Sequence, residues 1–227
     1  MLGRAAVVAA LGLLPRPVAM LPTIDDVAIR IEALTRDRVA DLATLFDQGG
    51  DPKWCWCAYF RARGRDWTNS TAAENRDLLE TAASEQDHAP GLIAYEGDVV
   101  VGWVSLGPRE DYERLAFSKV LAPLDEKAVW SIVCFVVGRK SRGQGIAATL
   151  LDGAIEYARV HGATTLEAYP VDIAEGERIP SANAFHGTLP MFERAGFKVV
   201  TRRQASPSAT ARPIVRKTIR PRTAPTR

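Results

Sequence analysis

Three stretches of this 227-residue chain predict an α/β domain: a single mixed, largely antiparallel sheet with a central βαβ crossover and flanking helices. The first stretch is Ala128 to Val137, whose run Ile132-Val133-Cys134-Phe135-Val136-Val137 is apolar on both faces, as a strand in the middle of a sheet must be. The second is Ile146 to Val160. There Ile146, Ala147, Leu150, Leu151, Ala154, Ile155 and Ala158 form one helical stripe, and Gly162 stops it. The third, Thr164 to Tyr169, reads as the next strand. Strand, helix and strand in that order require parallel strands in one sheet.

Local chemistry places the other elements. Val27 to Leu34 alternates apolar and polar residues and predicts a first strand. Thr35 stands at the N-cap of a helix whose apolar face is Val39, Leu42, Leu45 and Phe46, with Gly49-Gly50 at its end. Thr71-Ala72-Ala73-Glu74 has the spacing of a capping box, opening a helix with Leu78, Leu79, Ala82 and Ala83 on one face. Gly91 to Tyr95 and Val99 to Leu106 flank Glu96-Gly97-Asp98, the pattern of a β-hairpin. Thr188 can cap a short helix with Pro190 in its first turn and Gly196 past its end. Phe197 to Arg202 and Pro213 to Ile219 then pair as a closing antiparallel hairpin.

Residues 25–219 are expected to form one domain, without internal repeats. Residues 1–24 read as an N-terminal extension, with Met20 as an alternative start. The apolar run Ala5 to Leu14 is shorter than the roughly 20 residues of a membrane span and is followed by no clean signal-cleavage site. Residues 220–227 are expected to be a basic disordered tail.

The composition is that of an ordinary globular protein, 47% hydrophobic and 25% charged with a net charge of +2. So weak a net charge argues against a nucleic-acid binder. The six basic residues after Gln204 (Arg212, Arg216, Lys217, Arg220, Arg222 and Arg227) read as a solvated terminus. Three cysteines cannot make a disulfide framework and suit a reducing, cytoplasmic setting. Cys55 and Cys57, interleaved with Trp54 and Trp56, read as packed thiols, because a zinc site needs four ligands or three plus water. No metal and no membrane partner are expected, and a homodimer is compatible with all of this.

Lys140-Ser141-Arg142-Gly143-Gln144-Gly145 joins the central strand to the long helix. A turn needs one glycine. Two glycines before a helix N-terminus let a ligand lie against backbone N–H groups that carry about half a positive charge. Lys140 and Arg142 can add charge-assisted contacts, so the loop reads as a phosphate cradle. A nucleoside triphosphate loop would require Gly-x-x-x-x-Gly-Lys-Ser/Thr, which is absent. A dinucleotide fingerprint would take Ala148 as its third position, but no second βαβ pair follows.

This segment, with the element order around it, resembles motif A of the GNAT superfamily of N-acetyltransferases, Gln/Arg-x-x-Gly-x-Gly/Ala. The terminal Ala195-Gly196-Phe197 adds to the resemblance, which covers nearly the whole domain. It implies the GNAT-like acyl-CoA N-acyltransferase fold, with acetyl-CoA as co-substrate and an amine as acceptor. Its pyrophosphate would lie on Lys140, Arg142, Gly143, Gln144, Gly145, Ile146 and Ala147. Its pantetheine arm would pair with backbone groups of Phe135, Val136 and Val137, and an N–H near Val136 would face the oxyanion. Two positions depart from the family pattern. Lys140 stands where Gln or Arg is usual, and Phe192 stands where a tyrosine commonly protonates the departing thiolate.

The expected reaction is transfer of the acetyl group to a primary amine of a small molecule or peptide by direct attack in a ternary complex. The alternative is a catalytically inactive acyl-CoA-binding or interaction module. With Phe192 in the acid's place, the thiolate departs unaided or takes a proton from Tyr169, Ser181 or His186, although His186 reads equally as a packed histidine. No general base is legible. Trp54, Trp56, Tyr59, Phe60 and Trp67, with Arg61, Arg63 and Arg65 among them, form either an aromatic–basic acceptor wall or a core patch with solvated arginines.

Overall fold

The computed structural model describes residues 28–173 and 185–221. The N-terminal extension, Ser181 and the end of the expected tail lie outside the described residues. The elements in chain order are β1 (Ile29–Ala33), α1 (Val39–Phe46), α2 (Pro52–Cys55), α3 (Gly64–Thr68), α4 (Ala72–Glu85), β2 (Gly91–Glu96), β3 (Val99–Pro108), α5 (Glu113–Ala116), β4 (Trp130–Val137), α6 (Ile146–Val160), β5 (Thr165–Ala168), α7 (Leu189–Arg194), β6 (Lys198–Arg203) and β7 (Arg212–Thr218).

These strands form one seven-stranded sheet in the order β1-β2-β3-β4-β5-β7-β6. Every neighbouring pair is antiparallel except β4 and β5, which run parallel across α6. The predicted crossover is therefore the sheet's centre. The closing hairpin folds back so that β7 lies between β5 and β6. That places Arg212 and Arg216, read from sequence as part of a solvated terminus, inside the sheet.

α6 covers one face of the sheet. Its buried side chains Ile146, Leu150, Leu151, Ala154, Ile155 and Ala158 meet Ala94, Val101 and Ile132 among others. The approach is close: a Cβ on Gly102 of β3 would come 2.7 Å from Ile146 Cγ2. Truncating Leu150, fully buried there, would leave a cavity costing about 2–5 kcal/mol. The second face is covered by α1, α2 and α5, through Leu42, Phe46, Trp56 and Leu115 packed against Trp103 and Val133.

Two local expectations need correction. Thr35 precedes a single 3-10 turn (Arg36–Arg38) rather than capping α1 directly, and its hydroxyl caps no backbone N–H. On α4 the buried residues are Asn75, Leu79 and Ala82, while Leu78 is exposed. Asn75 is inside because its amide donates to the Trp54 carbonyl, 3.0 Å away, and ties α4 to α2. The Thr71 capping box is present, with the Glu74 amide donating to Thr71 Oγ1 at 3.2 Å.

Candidate active site

The site begins where β4 leaves β5. Their parallel pairing covers Trp130, Ser131 and Ile132 and then ends, although β4 runs on to Val137. At the same level the register with β3 jumps: Leu106 pairs with Ile132 and Ser105 with Cys134, so Val133 is an extra residue. Such a bulge bends the strand that carries it. β4 is thus free of β5 from Val133 onward.

The pairing decides which backbone groups face the opening. Gly138 donates its N–H to the Val101 carbonyl of β3 at 2.9 Å. Backbone groups in an antiparallel pair alternate in direction, so Val136 points to β3 while Phe135 and Val137 turn their N–H and C=O away from it. The Val137 carbonyl is met there by Arg142 Nε, at 3.2 Å.

A 3-10 turn (Arg139–Ser141) leads from β4 into the glycine loop. Gly143 and Gly145 have φ of +79° and +82°, and a Cβ built on either meets no atom within 4 Å. Both require glycine for conformation, and both face open space that a ligand can enter. No side chain caps α6. Ala148 and Thr149 return their amides to the Gly145 carbonyl, while the amides of Ile146 and Ala147, at the start of the helix, have no intrahelical acceptor. Gln144 folds its amide onto the Lys140 carbonyl, 3.1 Å away. These residues fit a pyrophosphate.

Phe135 points to the α6 face. Its ring meets Phe192 of α7 at 6.1 Å, and Phe192 is fully buried. The Tyr169 hydroxyl, just past β5, donates to Glu167 Oε1 at 2.8 Å and lies 3.1 Å from Ser131 Oγ. Burial, followed by the Glu167 carboxylate, holds its pKa well above the usual tyrosine range. His186 is 8% exposed, its ring packs 4.1 Å from that of Phe185 and 5.9 Å from that of Phe60, and its Nδ1 has no hydrogen-bond partner among the described residues. Burial, reinforced by the Arg212 guanidinium, lowers its pKa to about 3, so the imidazole is neutral at physiological pH. Ser181 is outside the described residues.

Sequence reasoning missed a buried ionic network. Glu167 of β5, 0% exposed, accepts from Arg216 Nε at 2.7 Å, and the same guanidinium forks onto Asp125 at 2.7 and 2.9 Å. Those bonds hold the Asp125 carboxyl down to about 2. Arg109 Nη1 stands 4.0 Å from Glu167. The available signal was Glu167 itself, a lone carboxylate inside the apolar run Leu166 to Tyr169, which a fold can bury only with a partner.

The three cysteines cluster beside the opening on the second face. Cys57 Sγ lies 3.4 Å from Cys134 Sγ and accepts from Trp103 Nε1 at 3.1 Å. The hydrogen bond with Cys134 raises the Cys57 thiol well above its ordinary pKa, and burial adds to the rise. Trp56 and Cys57 both adopt left-handed backbone, φ +43° and +55°, in the turn that follows α2. Among the described residues no group of three or more His, Cys, Asp or Glu side chains could hold a metal ion.

The aromatic–arginine segment is partly wall and partly core. Phe60, Trp56 and Cys57 are buried. Tyr59, Phe60, Arg63 and Gly64 line a depression of about 330 Å³ with Arg114 and Phe117. Arg63 stacks on Phe117 at 3.5 Å and Arg114 on Tyr59 at 4.1 Å. The buried Phe60 ring stands between this depression and His186, whose ring lies 5.9 Å from it.

Residues 54–197 match a family model described as the acetyltransferase (GNAT) family. No curated protein matches the sequence significantly. Solved structures with similar folds include an agmatine N-acetyltransferase, 12% identical at a TM-score of 0.52 over 84% of this chain and 99% of that one. Another is a polyamine N-acetyltransferase of Drosophila melanogaster that forms N-acetylagmatine, 11% identical at 0.51 over 85% and 100%. A GNAT-family acetyltransferase from Streptococcus pneumoniae is 16% identical at 0.49 over 85% and 99%. At these identities the likeness of the first two is one of fold alone.

Proposed function

Because the chain belongs to the acetyltransferase (GNAT) family and is thereby an acyltransferase, we propose that it transfers the acetyl group of acetyl-CoA to a primary amine of a small molecule or peptide, by direct attack in a ternary complex. The observation that carries this reading is the parting of β4 from β5 after Ile132, next to a loop whose two left-handed glycines face open space.

In this reading Gly143, Gln144, Gly145, Ile146 and Ala147 receive the pyrophosphate on backbone amides. Lys140 and Arg142 supply positive charge. The pantetheine arm pairs with the outward backbone groups of Phe135 and the outward N–H of Val137 as an added strand would, with Arg142 on the Val137 carbonyl and Val136 holding β4 to β3 between them. The arm then runs toward the bulge at Val133, so the thioester carbonyl lies at the mouth of the opening. The outward amides there can accept the charge that develops on the carbonyl oxygen.

The amine must arrive as the free base. For a lysine-like amine at pH 7 that costs roughly 4.6 kcal/mol. Nitrogen attacks the carbonyl carbon, the C–S bond breaks, and the proton lost by nitrogen ends on the sulfur. A thiol of ordinary pKa, about 8.5, leaves as thiolate near neutrality without a strong acid. This suits a site in which Phe192 has no proton to give, Tyr169 is bonded to Glu167, and His186 is neutral.

Calorimetric titration of the purified chain with acetyl-CoA, with NAD and ATP as controls, followed by thiol release against a panel of amines, tests the proposal. Binding of acetyl-CoA alone among the three, with thiol release on some amine, is expected. Binding without turnover on any amine would favour the inactive-module reading, which the buried Phe192 supports. Binding of NAD instead would overturn both.

A further inference from the structure

Beside the opening, two side chains each hold an enclosed nitrogen with no hydrogen-bond partner among the described residues: Nδ1 of the buried His186 and Nη1 of the half-buried Arg212. Buried donors and acceptors are nearly always paired, and an unpaired cation costs more than an unpaired amide. Unpaired groups that stand together at the edge of a reaction site ask for a ligand.

The sheet explains why they meet. β7 pairs with β5 through Ala168 and Val215, so three residues further along the same register Arg212 reaches the level of Val171. Val171 is bonded to Gly187 and Leu189, which sets His186 at that level too. Alternation along β7 puts Arg212 on the face of Ile214, which belongs to the cluster under α1 and α2. A Cβ on Gly187, the residue after His186, would lie 3.5 Å from the Phe135 ring, so the segment that carries His186 runs beside the free part of β4.

Nearby arginines have partners. Arg216 holds Asp125 and Glu167. Arg203 donates to the Ala122 carbonyl at 2.6 Å. Arg114 donates to the carbonyls of Tyr59 and Ala62, and Arg63 lies 3.7 Å from Glu113. Arg212 has no ion pair or side-chain hydrogen bond among the described residues, and burial alone lowers its pKa.

We infer that Arg212, with the neutral ring of His186 beside it, binds an oxyanion carried by the acceptor, so that the acetylated amine belongs to an amino-carboxylate or amino-phosphate. Guanidinium and carboxylate match as a two-pronged, charge-assisted pair. Of the two anions the carboxylate is the better match, because a single guanidinium and a neutral ring balance one negative charge rather than two. This inference rests on the acetyltransferase reading for the word acceptor, but anion binding at Arg212 does not.

The test uses the full chain and three probe sets: free L-amino acids, the same compounds as C-terminal amides, and O-phosphoethanolamine. Binding is read by calorimetry with and without acetyl-CoA, and turnover by thiol release. For at least one amino acid, binding and kcat/KM are expected to exceed those of its amide by about tenfold or more. Arg212→Gln should erase that ratio, and Arg212→Lys should restore part of it, with acetyl-CoA affinity retained in both. Preference for O-phosphoethanolamine over every amino acid would keep the anion site and assign it to phosphate. Equal binding of acids and amides by the wild-type chain, or a ratio unchanged in Arg212→Gln, would overturn the inference. Failure of acetyl-CoA to bind would instead overturn the acetyltransferase reading, and the titrations without co-substrate would still decide the role of Arg212.

Discussion

The Phe192 ring meets the Phe135 ring edge to face, 6.1 Å between centroids and 72° between planes. It lies on the α6 side of β4, sealed by Phe197 at 5.1 Å. An aromatic residue at this position therefore packs the strand from which the thioester would hang, and the family's usual hydroxyl has no place there. Phe192→Tyr should put an oxygen into an apolar contact and lower stability by about 1–3 kcal/mol, with no rise in kcat. Urea denaturation and thiol-release rates check both parts. A rise in kcat with a new basic limb in the pH profile would mean that a donor is useful here after all.

Gly143→Val should weaken acetyl-CoA binding at least tenfold while the sheet stays folded. The left-handed φ of +79° opposes a branched side chain by about 1–2 kcal/mol. Protein atoms leave room for the new Cβ, so the larger loss should come from ligand excluded by it. Titration calorimetry beside a circular dichroism spectrum separates the two effects.

Glu167→Ala should be among the most damaging single changes outside the hydrophobic core. It leaves Arg216 with Asp125 alone and takes from the Tyr169 hydroxyl the carboxylate it donates to, for an expected cost of about 3–5 kcal/mol. A loss under about 1 kcal/mol in guanidinium denaturation would show that the network contributes little.

His186 couples stability to pH. Its folded pKa, about 3, lies below the ordinary 6.5, so between these values the unfolded chain binds the extra proton. Its contribution is complete above pH 6.5 and is lost as pH falls toward 3, on the order of a few kcal/mol in all. His186→Leu should flatten the melting temperature between pH 6.5 and 5, a range above most carboxylate titrations. An unaltered slope in thermal melts would place the ring in solvent.

Much of the fold was legible because its signals are short-ranged. The Thr71–Glu74 box, the Gly97 hairpin and the α6 stripe each involve residues within a turn or two of one another, and each is present in the structure. The glycine loop belongs to the same class, since left-handed backbone at Gly143 and Gly145 is a local requirement. Leu78 shows the limit. The sequence pattern puts it on the apolar face of α4, but the Asn75 bond to Trp54 rolls the helix and turns it outward.

The sequence carried the element types, the parallel crossover at the centre and the loop that implies acetyl-CoA, because caps, turns and periodicity act between near neighbours. The side chains that border the candidate site came from elsewhere in the chain. Glu167 and Arg216, Cys57 and Cys134, and His186 with Arg212 met only once β7 had entered the sheet beside β5 and α2 had packed on the second face. A strand shows opposite faces to alternate residues, and a shift of one residue in pairing would send Arg212 to the other side of the sheet. Register, summed over the whole sheet, is what brings Arg212, unpaired among the described residues, level with His186 beside the candidate site.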